Sequence, residues 1–209
     1  MLFSAAQTSA QTREPLPWFA VDLHAASVGL PTAEGWIPRS SENAPFPDRA
    51  WGFAGGATVY PLRIRLMTIG VGAMFSTAQG KSDSLQIIEG SGATATTRVT
   101  PITRTGVVSV LPQLSINFGH KLGWSYLSAG VGPTKVDSRD DYPEARVSVP
   151  VIWSRALNFG GGARWFMKPR LGAGFDVRFV KLGSRGPSEG VPDARRTQMI
   201  TFSAGITLQ

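Results

Sequence analysis

The chain has 209 residues, a formal charge of +7, 42% hydrophobic and 17% charged residues, 24 glycines, 15 prolines and no cysteine. The lack of cysteine excludes disulfides, Cys-ligated zinc and thiol catalysis, and no apolar run approaches the roughly 20 residues that a membrane-crossing helix needs. The basic residues are scattered and never form a run, so the charge favours anionic surroundings and no nucleic-acid partner is expected.

Residues 1–16, within "MLFSAAQTSAQTREPLPW", read as a disordered N-terminal segment or a signal-peptide remnant, with small Ala5, Ala6 and Ala10 where a cleavage region would lie. Residues 17–209 read as one domain. From Trp18 the pattern alternates: in "WFAVDLHAASVGL", Phe19, Val21, Leu23 and Ala25 share one parity while Asp22 and His24 share the other. Side chains of a strand point alternately to its two faces, so this is a strand with one apolar face. A Pro-rich polar stretch, 31–49, follows.

The next pair, "WGFAGGATVY" and "MTIGVGAMFS", turns about "PLRIRL"; Phe53, Ala57, Val59, Met67, Ile69, Val71, Ala73 and Phe75 fall on the apolar parity. A Gly/Ser/Thr-rich loop is expected over 77–105. "VVSVLPQLSINFG" and "WSYLSAGVG" close at Gly119–Gly123, and a polar loop is expected over 133–150. "LNFGGGARWF" and "LGAGFDVRF" then form a hairpin about Lys168-Pro169, with Arg164, Asp176 and Arg178 on the parity opposite to Trp165, Phe175, Val177 and Phe179. After 184–196, "QMITFSAGITLQ" alternates Ile200, Phe202, Ala204, Ile206 and Leu208 with polar or small residues.

The count is about eight strands of about nine to thirteen residues, with short and long connections in strict alternation. Soluble sandwiches use shorter strands without that asymmetry, whereas a transmembrane barrel needs an even strand number, spans of about 9–11 tilted residues, and short turns at one end only. No amphipathic helix is legible that would cover such a sheet. The expected fold is therefore all-β, an eight-stranded antiparallel up-and-down transmembrane β-barrel whose apolar faces meet lipid. The inward parity then carries Asp22, His24, Arg164, Asp176 and Arg178 as an interior polar network, because charges there are tolerable only when paired. Small residues such as Gly56, Gly70, Gly72, Gly130, Gly160, Gly172 and Gly174 would give them room. Trp18, Trp51, Tyr60, Phe118, Trp124, Trp153 and Trp165, with Phe53, Tyr126 and Phe166, stand near strand ends, where interfacial aromatic girdles form.

Taken together, the eight alternating strands, the terminal "TFSAGITLQ" and the hairpin "LNFGGGARWFMKPRLGAGFDVRF" resemble the small OmpA-like and OmpW-like outer-membrane β-barrels of Gram-negative bacteria, over Trp18 to Gln209. The resemblance rests on pattern, and the ending Leu208-Gln209 departs from the aromatic residue common at the end of family members. It implies a monomer in the bacterial outer membrane with both termini periplasmic, and as partners the outer-membrane lipids, lipopolysaccharide and, during biogenesis, the barrel-insertion machinery. Arg39, Arg49, Lys81, Arg98, Arg104, Arg146, Arg195 and Arg196 in the long loops are candidates to meet lipopolysaccharide phosphates.

Chemistry is sparse. His24 lacks a serine placed beside it by the sequence, and His120 lies in a short turn. Asp137, Asp140, Asp141 and Glu144 lack the strict order of a calcium loop. No catalytic residue, metal or cofactor is expected, and the role implied is structural, surface-binding or passage of a small solute. Two other readings remain open: a soluble lipocalin-like barrel with the aromatics inside, holding an apolar ligand, and an outer-membrane lipid-modifying enzyme that would use His24.

Overall fold

The structure, a computed structural model, describes residues 15–31, 46–83, 86–89, 96–99, 102–141, 146–148, 152–184, 186 and 193–209. Its elements are β1 (Phe19–Gly29), β2 (Arg49–Ile64), β3 (Met67–Lys81), β4 (Gln86–Glu89), β5 (Thr96–Val99), β6 (Ile102–His120), β7 (Gly123–Asp141), β8 (Arg146–Ser148), β9 (Ile152–Phe166), β10 (Leu171–Leu182) and β11 (Thr197–Leu208). Eight of them close into a barrel in the antiparallel order β6-β3-β2-β1-β11-β10-β9-β7, with β7 returning to β6. The short β4 and β5 form a separate hairpin, and β8 extends the β7 edge.

Closure fixes the tilt. Paired residues followed once round the wall run from Gly106 through Gln79, Trp51, Ser27, Phe202, Val177, Gly161 and Leu127, and return to β6 at Ile116, a stagger of ten residues from 106 to 116. Such a stagger inclines the strands by about 40° to the axis. The ladder is interrupted on the β6–β7 seam between Ser109–Thr134 and Gln113–Gly130, where Pro112 and Pro133 supply no N–H.

The two faces of the wall differ as the alternation demands. Outside stand Leu23, Phe53, Val59, Phe75, Leu114, Leu127, Val131 and Phe202, each about half exposed or more. Inside are buried Asp176, Arg178 and Arg164. The inverted parity that a soluble, ligand-holding barrel requires is therefore absent, and an apolar belt of this extent is matched only by hydrocarbon. From Val110 to Phe118 on β6 the belt covers eight residue steps, roughly 20 Å of height at the expected tilt.

Three expectations need correction. Strands β6 and β7 are 19 residues each, and both, like β3 up to Lys81, run into segments expected to be loops. Beyond the membrane band both faces of these strands carry polar side chains, so alternation gives no signal there although the ladder continues from Ser109–Thr134 to Ile102–Asp141. Leu16, assigned to the N-terminal segment, is 4% exposed and packs against the barrel end; residues 1–14 lie outside the described residues. Lastly, Tyr60, Trp124, Tyr126 and Phe166 are not in a girdle. They are buried inside, because they occupy the inward parity of β2, β7 and β9, and nearness to a strand end does not override the period of two. Trp51, Phe118, Trp153 and Trp165 do face outward, and Trp18, just before β1, is exposed.

Candidate functional site: the filled interior

The interior is stacked along the barrel axis. At the end of the short turns, Leu16, Ala20, Tyr60, Trp124, Tyr126 and Phe166 form one buried cluster. Trp124 stacks on Phe166 with ring centroids 5.0 Å apart and meets Tyr60 edge-on at 6.0 Å. These are favoured aromatic geometries, and together the rings close that end.

The charged layer lies next to it. Arg164 on β9 reaches across the lumen to Asp22 on β1, with Nε 2.9 Å from Oδ1 and Nη2 bonded to Oδ2, a bidentate pair. Thr207 Oγ1 donates to Asp22 Oδ1 at 2.7 Å, and Arg164 Nη1 donates to the Tyr60 hydroxyl at 3.2 Å. The guanidinium also lies 4.2 Å from the centre of the Tyr126 ring. A second pair joins Arg178 to Asp176, its neighbour but one on β10, with Nε 2.6 Å from Oδ1. Tyr126 donates to Asp176 Oδ2 at 2.6 Å, while Arg178 Nη1 donates to Gln113 Oε1 at 2.6 Å and Asn158 Oδ1 at 3.1 Å. Two cations and two anions thus balance, each with further hydrogen bonds, as burial in a low dielectric demands.

His24 joins the same layer. Its Nδ1 is 3.2 Å from Ser203 Oγ, and its Nε2 is 4.0 Å from Asp22 Oδ1. Ser203 comes from β11, which pairs with β1, so the serine that the local sequence does not supply is brought in by closure. A Ser, a His and an Asp are therefore close together, but the gap they share with Gln113, Tyr126 and Asp176 holds about 20 Å³, room for a single water.

Glycines make the layer possible. A Cβ at Gly162 would lie 2.8 Å from the Tyr126 hydroxyl oxygen, and one at Gly174 would lie 2.9 Å from Thr207 Oγ1 and 3.2 Å from His24 Nε2. Above the charges, towards the long connections, the filling becomes apolar: Val28, Leu30, Met74, Leu111, Val136, Val180, Leu182 and Met199 are all buried together.

All five residues expected in the interior network are inside, and the structure brings them into two ion pairs and one His–Ser contact. Sequence reasoning missed Gln113, Asn158, Tyr126, Ser203 and Thr207, although each stands on the inward parity. Of the acidic loop candidates, Asp137 lies 3.9 Å from Lys135 and Asp141 pairs with Arg104 at 2.8 Å; Glu144 lies outside the described residues. Among the described residues no group of three or more His, Asp or Glu side chains converges.

No protein-family model and no curated protein matches the chain. Among solved structures, the neisserial surface protein A is similar with a TM-score of 0.51 at 14% identity, over 92% of this chain and 97% of that one. The attachment invasion locus protein Ail of Yersinia pestis, solved with the heparin analogue sucrose octasulfate, is similar with a TM-score of 0.50 at 12% identity, over 90% of this chain and 97% of that one. This is the fold of the small outer-membrane β-barrels. At such identities the likeness concerns the fold alone. Within it, the present barrel has its lumen occupied from the aromatic layer to the apolar one.

Proposed function

We propose that the protein is a monomeric, non-enzymatic outer-membrane barrel that works through its outer rim and long connections, not through its lumen. The observation that carries this reading is the filled interior: paired charges, an aromatic layer and an apolar layer leave a gap for about one water. Passage of a solute would require at least two of these layers to move, and a lipid-modifying reaction at His24 would require an acyl chain to enter the same gap.

The end with the short turns also holds Trp18, whose carbonyl accepts from Tyr60 N, and Gln209, whose N–H donates to the Arg170 carbonyl. We place that end in the periplasm, with β11 presenting outward Phe202, Ile206 and Leu208 to the insertion machinery. The opposite rim is basic. Lys81 pairs in register with Arg104, and Arg104 with Arg139, so three cations stand on one outer face of three adjacent strands. Two of them, Arg104 and Arg139, border a notch of about 110 Å³, where Gly106 has no side chain and Asp137 leans over it. A row of this kind suits the phosphates of lipopolysaccharide. The structurally similar Ail was itself solved in complex with an anionic ligand, the heparin analogue sucrose octasulfate. Arg39 lies outside the described residues, and Arg49 extends the basic rim on β2.

The test has two arms. In planar bilayers the purified barrel should conduct no steady current, and a stable open level would overturn the closed-lumen reading. Lipopolysaccharide should be retained in a salt-sensitive manner that is weakened by Arg104→Gln with Arg139→Gln; equal retention by that variant would remove the rim from the interaction.

A further inference from the structure

The three short turns carry a pattern that closing the barrel does not require. Each sets an apolar side chain beside a cation: Arg65-Leu66, Lys121-Leu122 and Met167-Lys168. Leu66, Met167 and Leu122 are 86%, 78% and 64% exposed. Turn tips in water ordinarily carry Gly, Asn, Asp or Ser. Here Arg65 holds a left-handed φ of 52°, a conformation uncommon for a residue other than glycine. Segments 61–66, 119–123 and 167–170 contain Arg63, Arg65, Lys121, Lys168 and Arg170 and no Asp or Glu.

Depth and arrangement identify the surface they meet. Phe118 is paired with Ser125 and Trp165 with Gly123, so the outward aromatics end only a few residues before the tips. At 3.3 Å per tilted residue the tips lie under about 10 Å beyond the aromatic girdle, which is the depth of a headgroup layer. The turns belong to β2–β3, β6–β7 and β9–β10, and the two chain ends fill the remaining arc at β1 and β11. Apolar-basic tips are thus spread round the mouth, whereas a protein partner would be met by one side of it.

We propose that this ring docks on acidic phospholipid headgroups of the leaflet it faces, with Leu66, Leu122 and Met167 sunk into the headgroup layer and the neighbouring cations against phosphate. The inference rests on the membrane reading given above, and the experiment separates the two. The chain has no cysteine, so Leu66→Cys, Leu122→Cys and Met167→Cys, each carrying a polarity-sensitive fluorophore, report only their own site. Leu114→Cys, in the middle of the apolar belt, reports whether the wall is in lipid. The full chain is reconstituted in vesicles of phosphatidylcholine alone or with phosphatidylglycerol.

The expected result is blue-shifted emission at Leu114 in both lipids, and at the three tips a blue shift that is larger with phosphatidylglycerol and is lost when Arg65→Gln, Lys121→Gln and Lys168→Gln are combined. Tip probes that emit as in water in both lipids, with Leu114 blue-shifted, overturn the docking ring and leave the membrane reading intact. Equal shifts in the two lipids overturn the preference for acidic headgroups. A Leu114 probe that emits as in water overturns both.

Discussion

The turn-side half of the lumen and its loop-side half are filled by different physics. Near the turns, Arg164 holds Asp22 across the lumen and Arg178 holds Asp176 along β10 through directional bonds, and each carboxylate and guanidinium has a further partner on another strand such as Thr207, Tyr126 or Gln113. Towards the loops, Leu111, Val136, Leu182 and Met199 fill space without direction. The charged half specifies which strands face each other across the lumen, because a register slip would leave a buried charge unpaired. The apolar half tolerates exchange of one side chain for another of like volume. A wall in lipid gains little from hydrophobic contact with its surroundings, so the work of defining a single structure falls on the lumen and on the ladder itself.

The comparison is broken most severely at its charged centre. Arg164→Met leaves Asp22 buried without its cation and should lower stability by about 3–5 kcal/mol, read as the denaturant midpoint of the folded band on an unboiled gel. Adding Asp22→Leu should recover part of that loss, since the residual carboxylate is then gone; an additive double variant would show the pair to be uncoupled. In the apolar half, Leu111→Ala removes a fully buried side chain and should cost about 2–5 kcal/mol, with no recovery available from any partner. The outer face gives the contrast: Leu114→Arg places a charge against the belt and should cost about 2–4 kcal/mol in bilayers, but much less in a soluble environment, so a small effect in both would contradict the lipid-facing wall. The smallest effect is expected at Ser203→Ala, about 0.5–1.5 kcal/mol through loss of the His24 contact, with the mobility of the folded band unchanged.

Legibility followed the alternation of faces. Where one face meets lipid and the other meets the lumen, as from Leu157 to Trp165 or from Leu171 to Phe179, the period of two gave both the strand and its inward residues. The same period places Tyr60, Trp124, Tyr126 and Phe166 inside, and at these positions parity outweighs nearness to a strand end. Where both faces are solvated, as at Arg104 or Asp137 on the extended β6 and β7, the signal vanished and strand was read as loop. The pairing of Asp22 with Arg164 was not legible, since they are on β1 and β9, strands that are not neighbours in the wall, whereas Asp176 and Arg178 stand two apart on one face of β10.

Within the membrane band the sequence by itself determined the architecture and the face of the wall on which a side chain stands, because both follow from a local period that the strands repeat there. Which inward residues meet was decided only by the closed structure: the ten-residue stagger sets the height of each strand against the others, and a contact across the lumen depends on all the strands between. That is why Asp22 was recognisable as an interior charge from its own strand, while its partners Arg164 and Thr207 were fixed only when β1 met β11 and the barrel closed.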